Sequence, residues 1–226
     1  MSVICLEGAS AVGKTTTCRA LAEKQGAFVV PEMNRLFRVD PDAPDRPSFG
    51  EIVAGQPPGW YLERQRERWT MARNAEQAHG LAVLDRDPFQ PLWYRWAYRY
   101  AGGAQTLLEL RGFYRLRIAA GTIRFPDGYV LLQTDAVELR RRKEADTTRD
   151  RRGFDKQLGF VDPQKRYFAE MNRLSPGRVC VVDARSVEQN VARIVAALPA
   201  WTVRRECADD LALFDGLTEW LADNEP

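Results

Sequence analysis

Gly8-Ala9-Ser10-Ala11-Val12-Gly13-Lys14-Thr15 fits the pattern G-x-x-x-x-G-K-[ST], and each fixed position has a reason in phosphate chemistry. The glycines let the chain turn tightly enough for successive backbone N–H groups to converge on phosphate oxygens. The lysine reaches the β- and γ-phosphates, and the threonine hydroxyl is a ligand for Mg²⁺. A helix that starts at the loop adds the positive end of its dipole. A purely structural glycine turn accounts for Gly8 and Gly13 but not for Lys14-Thr15. The expectation is a nucleoside-triphosphate site in which Gly8 to Thr15, with Thr16, hold ATP.

Three further groups have the chemistry such a site needs. Leu84-Asp85-Arg86-Asp87 closes an apolar run, and an acid at the end of a buried strand is placed to hold Mg²⁺. Asp85 is the first choice and Asp87 the reserve, because Asp87-Pro88 also suits the start of a helix. Arg86 would point at the acceptor or at the transferred phosphoryl group. Pro31-Glu32 ends another apolar run; Glu32 could take the proton of an attacking hydroxyl, bind an acceptor hydroxyl, or pair with Arg35. Between Arg140 and Arg152 lie seven cations and three acids. Arg149, Arg151 and Arg152 fit a lid over about 140–155 that closes on the triphosphate, against the alternative of a solvated face.

The elements that must position these residues are legible as punctuation. Val3-Ile4-Cys5-Leu6, Ala27 to Val30, Leu81 to Leu84, Tyr129 to Leu132 and Val179 to Val182 are short, fully apolar runs bounded by breakers or polar residues. Helical stretches are predicted over 15–24, 60–79, 89–100, 104–120, 136–145 and 163–174, with a long Pro- and Gly-rich loop over 40–59. Ser186 is placed to cap a last helix through Leu198. Runs that do not alternate, separated by helices, predict a sheet buried on both faces. The expected fold is α/β, a doubly wound five-stranded parallel sheet flanked by helices, over residues 1–198. Residues 199–226 form an acidic helical appendage in which Leu211, Phe214, Thr218 and Leu221 recur at helical spacing, predicting a helix docked on the body. The aromatic helix carrying Trp93, Trp96 and Tyr100 suits core packing first and a pocket for a flat acceptor second.

Composition narrows the field. The 226 residues include 28 Arg and only 5 Lys, and the net charge is +2. Residues 206–226 hold seven acids and no Lys or Arg, so residues 1–205 carry +9. Guanidinium forks suit phosphate chemistry, although a codon bias explains the same excess, and the total charge gives no case for bulk nucleic-acid binding. One histidine, His79, disfavours histidine metal sites and histidine-based triads. Cys5, Cys18, Cys180 and Cys207 show no paired spacing. No apolar stretch reaches membrane length, so a cytoplasmic protein without a membrane contact is expected.

Over residues 3–198 the order of elements resembles the thymidylate kinase and deoxynucleoside kinase group of P-loop phosphotransferases. Glu63-Arg64-Gln65, ahead of Leu84-Asp85-Arg86, resembles that group's acceptor-contacting arginine helix. The resemblance implies acceptor contacts from Arg64, Gln65, Arg86 and Glu32, with Trp93 from the aromatic helix. Val137 to Arg141 resembles the helix entering the lid, implying Arg141 near adenine and Arg149, Arg151 or Arg152 near the phosphates. Val181 to Ser186 resembles the last strand and the turn walling the adenine pocket, which includes Arg185. Pro31-Glu32 is closer to deoxynucleoside kinases, whereas Asp85-Arg86-Asp87 departs from their Glu-Arg-Ser. The resemblance therefore implies an ATP- and Mg²⁺-dependent kinase of a small molecule, a nucleoside or nucleotide first. An antibiotic or specialised metabolite, as in chloramphenicol phosphotransferase, is the alternative acceptor. A non-kinase ATPase and a structural nucleotide-binding module also stay open, as does a homodimer. A GTPase is disfavoured, because no Asn-Lys-x-Asp segment occurs.

Overall fold

The computed structural model describes residues 1–36, 59–99, 107–147, 154–202 and 205–224. Five strands, β1 (Ser2–Gly8), β2 (Phe28–Val30), β3 (Leu81–Asp85), β4 (Gly128–Gln133) and β5 (Val179–Asp183), form one parallel sheet in the order β2-β3-β1-β4-β5. The helices in chain order are α1 (Lys14–Gln25), α2 (Met33–Leu36), α3 (Trp60–His79), α4 (Gln90–Arg99), α5 (Leu108–Ala119), α6 (Ala136–Ala145), α7 (Phe154–Leu158), α8 (Val161–Leu174), α9 (Val187–Ala197) and α10 (Cys207–Asp223). A 3-10 turn, Leu198–Trp201, follows α9.

Alternate strand residues feed two separate cores, which is why the strands read as unbroken apolar runs. Val3, Cys5, Ala82, Leu84, Tyr129 and Leu131 face a core shared with α3, α4, α5, α8 and α10. Ile4, Leu6, Val83, Val130 and Leu132 face the other, shared with α1, α6 and α9. The architecture is the doubly wound α/β sheet that this pattern predicts.

Local signals hold at several ends. Gly26 ends α1 in the left-handed region, and its N–H donates to the Ala22 carbonyl at 3.1 Å. Ser186 caps α9, its hydroxyl accepting from the Gln189 amide. Other boundaries differ. β1 extends past its apolar run, because Glu7 and Gly8 stay in register with Leu131 and Leu132 of β4. The short helix α7 falls within the segment expected to be loop, and Phe154 at its start is buried in the second core. Most of the expected loop over 40–59, and the Tyr100 of the aromatic helix, lie outside the described residues.

The terminal helix α10 packs through the expected stripe, Phe214, Thr218 and Leu221, widened by Leu213 and Leu217. Leu213, Phe214, Leu217 and Leu221 enter the first core beside the buried Thr218, whereas Leu211 is only partly buried. Its first turn is anchored by an ion pair without access to solvent: Arg178 donates to Asp210 at 2.8 Å, and Arg124 reaches the same carboxylate at 2.8 Å. Among the described residues no helix is long and apolar enough to cross a membrane.

Candidate active site

Because all strands run the same way, the carboxyl ends of β1, β2 and β3 share one edge of the sheet, where open α/β sheets bind ligands. The loop from Gly8 to Gly13 occupies it. Gly8 has φ +140°, and a Cβ there would lie 2.4 Å from the Leu132 carbonyl oxygen, so a side chain cannot be accommodated. Ala11 and Gly13 also have positive φ, the geometry that turns N–H groups inward to make an anion nest.

Lys14 is folded back over this loop, its ammonium donating to the carbonyls of Gly8 at 2.7 Å and Ala9 at 2.9 Å. Burial, and then the charge of Arg86, pull its pKa from the ordinary 10.5 down to about 8. The Thr15 hydroxyl donates to Oδ2 of Asp85 at 2.8 Å. Thr16 faces solvent on the first turn of α1.

Asp85 is buried, and its other oxygen, Oδ1, has no hydrogen-bond partner. A hydroxyl and a buried carboxylate with a spare oxygen suit a hard cation such as Mg²⁺, which takes few protein ligands and completes its shell with water and phosphate oxygens. Among the described residues no cluster of three His, Cys, Asp or Glu side chains could supply a full protein cage. Asp87, the reserve ligand, turns inward instead. Its Oδ1 accepts from the Phe89 amide and the Tyr129 hydroxyl, both at 3.0 Å, which is the helix-start role that Asp87-Pro88 also suggested. Burial and the nearby Glu7 carboxylate raise its pKa to about 8.

Arg86 and Glu32 meet across the ends of β3 and β2. The Arg86 Nε–H donates to Glu32 at 2.9 Å, and Arg35 stands 3.9 Å from the other carboxylate oxygen. Burial alone would raise the Glu32 pKa, but the charges of Arg86, Lys14 and Arg35 with the Arg86 hydrogen bond hold it below the ordinary value. A shallow pocket open to solvent lies between Arg86 and the glycine-rich loop; Gly8, Ala9, Ser10, Arg86, Trp93, Tyr94, Phe160 and Gln164 are among its walls. Trp93 is both core and wall: its ring is buried within the first core, and its indole Nε1 has no partner. Trp96 belongs to the core alone.

The structure does not bring every expected residue into this cluster. Arg64 pairs with Glu67 and lies 5.8 Å from the Trp60 ring centroid. Gln65 is buried and accepts from Arg68 at 2.7 Å. Arg141 is 68% exposed and paired with Glu138, and Arg185, 79% exposed, stands 4.0 Å from Asp183. Arg149, Arg151 and Arg152 lie outside the described residues. His79 ends α3 at the surface, its ring 5.5 Å from that of Phe28.

Three residues at the site carried no motif. Arg142 donates to the carbonyls of Val12, at 3.0 Å, and Ala184, one position along from the arginine that the resemblance points to. Arg68, fully buried, donates to the carbonyls of Pro31, Asp85 and Arg86. Glu7, fully buried, accepts from the amides of Gly8 and Asp87 and from Gln164. The available signal was a charged residue where an apolar pattern has no room for one: Glu7 extends an apolar strand, and such a residue is buried only with partners.

The family model described as an AAA domain matches residues 3–163. No curated protein sequence matches the chain. Solved structures match over most of their length. Thymidylate kinase from Candida albicans aligns with TM-score 0.58 and 14% identity, covering 91% of this chain and 95% of that one. Deoxyadenosine kinase from M. mycoides, with bound dATP, aligns with TM-score 0.54 and 17% identity, covering 88% and 100%. The same enzyme with dCMP and dCDP gives 0.51 and 16%, covering 87% and 98%. At these identities the likeness is one of fold. With its phosphate loop between β1 and α1, the chain belongs to the AAA-domain family and has the P-loop fold of the nucleoside and nucleotide kinases.

Proposed function

We propose that this chain is a small-molecule kinase that transfers the γ-phosphoryl group of ATP, with Mg²⁺, to an acceptor bearing a hydroxyl or phosphate, a nucleoside or nucleotide by preference. The observation that carries the reading is the convergence on one pocket of two opposite functions. Lys14 is bonded to the carbonyls of Gly8 and Ala9 on the loop wall, Thr15 bonds Asp85 at the end of β3, and Arg86, which forms another wall, holds Glu32 at the end of β2.

The residues divide the work as follows. The loop amides and Lys14 bind the triphosphate, and Thr15 and Asp85 hold Mg²⁺. Bound there, the metal supplies charge neutralisation to the phosphate oxygens. Glu32, kept ionised by its three cations, accepts a hydrogen bond from the acceptor hydroxyl. Its lowered pKa makes it a weak base, which suffices where the transition state is loose and the proton leaves late. Arg86 stabilises charge on the transferred group. Trp93, Tyr94 and Phe160 offer flat apolar walls to the acceptor.

The test is incubation with ATP and Mg²⁺ and a panel of nucleosides, nucleoside monophosphates and chloramphenicol- or aminoglycoside-type compounds, with products read by mass. One or more acceptors should gain a single phosphoryl group, and Glu32→Gln should abolish the gain while nucleotide binding persists. Steady ADP release that needs no acceptor, unchanged by Glu32→Gln, would overturn the kinase reading in favour of an ATPase.

A further inference from the structure

Arg86 is one of two described residues other than glycine with positive φ, at +80°. The left-handed region is unfavourable for an arginine, and such residues persist when their surroundings over-determine them. At this position the turn separates three neighbouring side chains. Asp85 goes to Thr15, Arg86 to Glu32, and Asp87 to Tyr129.

The peptide units on both sides of Arg86 are held. Its own N–H donates to the Leu6 carbonyl at 3.1 Å. Arg68 grips the two carbonyls, donating from one nitrogen to Asp85 at 2.8 Å and to Arg86 at 2.9 Å. Glu7 takes the next amide, that of Asp87, at 2.8 Å. Neither of these buried residues makes its hydrogen bonds to an opposite charge. The hydrogen bonds of Arg68 go to backbone carbonyls and Gln65, and those of Glu7 come from backbone amides and Gln164. Burying a charged side chain is costly, and a core that needed only volume would use an apolar residue at either place.

We propose that Glu7 and Arg68 are positioning residues that act through Arg86: from opposite sides they clamp its flanking peptide units, hold it left-handed, and so aim its guanidinium at Glu32 and the pocket. The catalytic consequence rests on the phosphotransfer reading; the clamp itself does not. A residue that serves only packing would alter stability, whereas these two should alter the setting of Arg86.

The experiment uses the full chain with Glu7→Gln, Arg68→Lys, Arg86→Lys and the double variant Glu7→Gln/Arg86→Lys. In ¹H–¹⁵N spectra, the Arg86 Nε–H signal, assigned by its loss in Arg86→Lys, should be slow to exchange in the wild type and lost or broadened in Glu7→Gln and Arg68→Lys. With an acceptor from the panel, each single variant should lower kcat by roughly tenfold or more, with KM for ATP held within about twofold. The double variant should be no slower than Arg86→Lys alone, because residues that act as one unit are not additive. Multiplying effects, or an Arg86 signal untouched by both substitutions, would overturn the proposal. If no acceptor is phosphorylated, the kinase reading fails while the spectra still decide the clamp. If the substitutions unfold the chain, wild-type exchange at the Arg86 and Asp87 amides decides it. Exchange as slow as in β1 supports the clamp, and loop-like exchange refutes it.

Discussion

Arg142 donates a 3.0 Å hydrogen bond to the carbonyl oxygen of Val12, 130 residues away, and a second to Ala184. The bond ties α6, the helix leading into the arginine-rich segment, to the phosphate loop, and the second bond ties both to the end of β5. Arg141 beside it reaches solvent and pairs with Glu138 on its own helix. Exposed pairs of that kind contribute about 0–1 kcal/mol, whereas hydrogen bonds made by a charged group to buried acceptors contribute about 1.5–3 kcal/mol. Arg142→Ala should therefore raise the KM for ATP roughly tenfold, and Arg141→Ala should change it by less than about twofold. Equal effects in steady-state kinetics would refute the distinction.

Asp85 and Thr15 make a second comparison between neighbours. The Thr15 hydroxyl occupies Oδ2 of Asp85 and leaves Oδ1 without a partner. Asp85→Asn keeps the shape and an oxygen for Thr15 but removes the charge a divalent cation needs. It should lower kcat by ~100-fold or more and shift Mg²⁺ activation to higher concentration. Metal-free nucleotide binding, followed by calorimetry, should stay within about threefold. Thr15→Ser should retain most activity, since only the hydroxyl matters. Asp87→Asn should leave Mg²⁺ activation unmoved.

What was legible in the sequence is what is local. The phosphate loop is contiguous, so Gly8, Gly13, Lys14 and Thr15 could be read together, and the apolar runs were legible because the inner strands β1, β3 and β4 are buried on both faces, although the edge strands β2 and β5 expose Phe28 and Val181. Asp85 and Glu32 could be named from their places at strand ends. The partnerships were not legible: Glu32 joins Arg86 across 54 residues and Gln164 reaches Glu7 across 157. Helical phase decides between Arg141 and Arg142, or between Arg64 and Arg68, and a run such as Glu63 to Arg68, polar at every position, gives no phase. The same gap hid one residue of the terminal helix: Asp210 points inward because Arg178 pairs with it there.

Lys14 gives the site a pH dependence whose direction can be worked out. Its pKa is lowered from 10.5 to about 8 by burial and by Arg86. Phosphate oxygens favour the charged ammonium, so binding a triphosphate raises that value again. Below about pH 8 the lysine is charged before and after binding, and affinity is flat; above it, binding must take up a proton. ATP affinity should fall as pH rises from about 8 towards 10, approaching tenfold per unit. Calorimetry at pH 9 in buffers of different ionisation enthalpy should show proton uptake, and Lys14→Arg should abolish it. The empty protein responds in the opposite sense. Between about pH 8 and 10.5 the unfolded lysine keeps a proton that the folded one has lost, so this group adds stability as pH rises.

Asp87 supplies a test of stability separate from chemistry. Burial and then the Glu7 carboxylate push its pKa from 3.8 to about 8, so across that interval the folded state holds a proton that the unfolded state has released. Stability from this group is present at the acid end and is lost as pH rises from about 4 to 8. Asn has the shape of the protonated carboxyl and still offers an oxygen to the Phe89 amide and the Tyr129 hydroxyl, but it does not titrate. The Tm of Asp87→Asn minus that of the wild type should therefore grow steadily between pH 5 and pH 8, with the variant gaining. A difference that is constant with pH, or that shrinks towards pH 8, would show that Asp87 is ionised in the folded protein and refute the raised pKa.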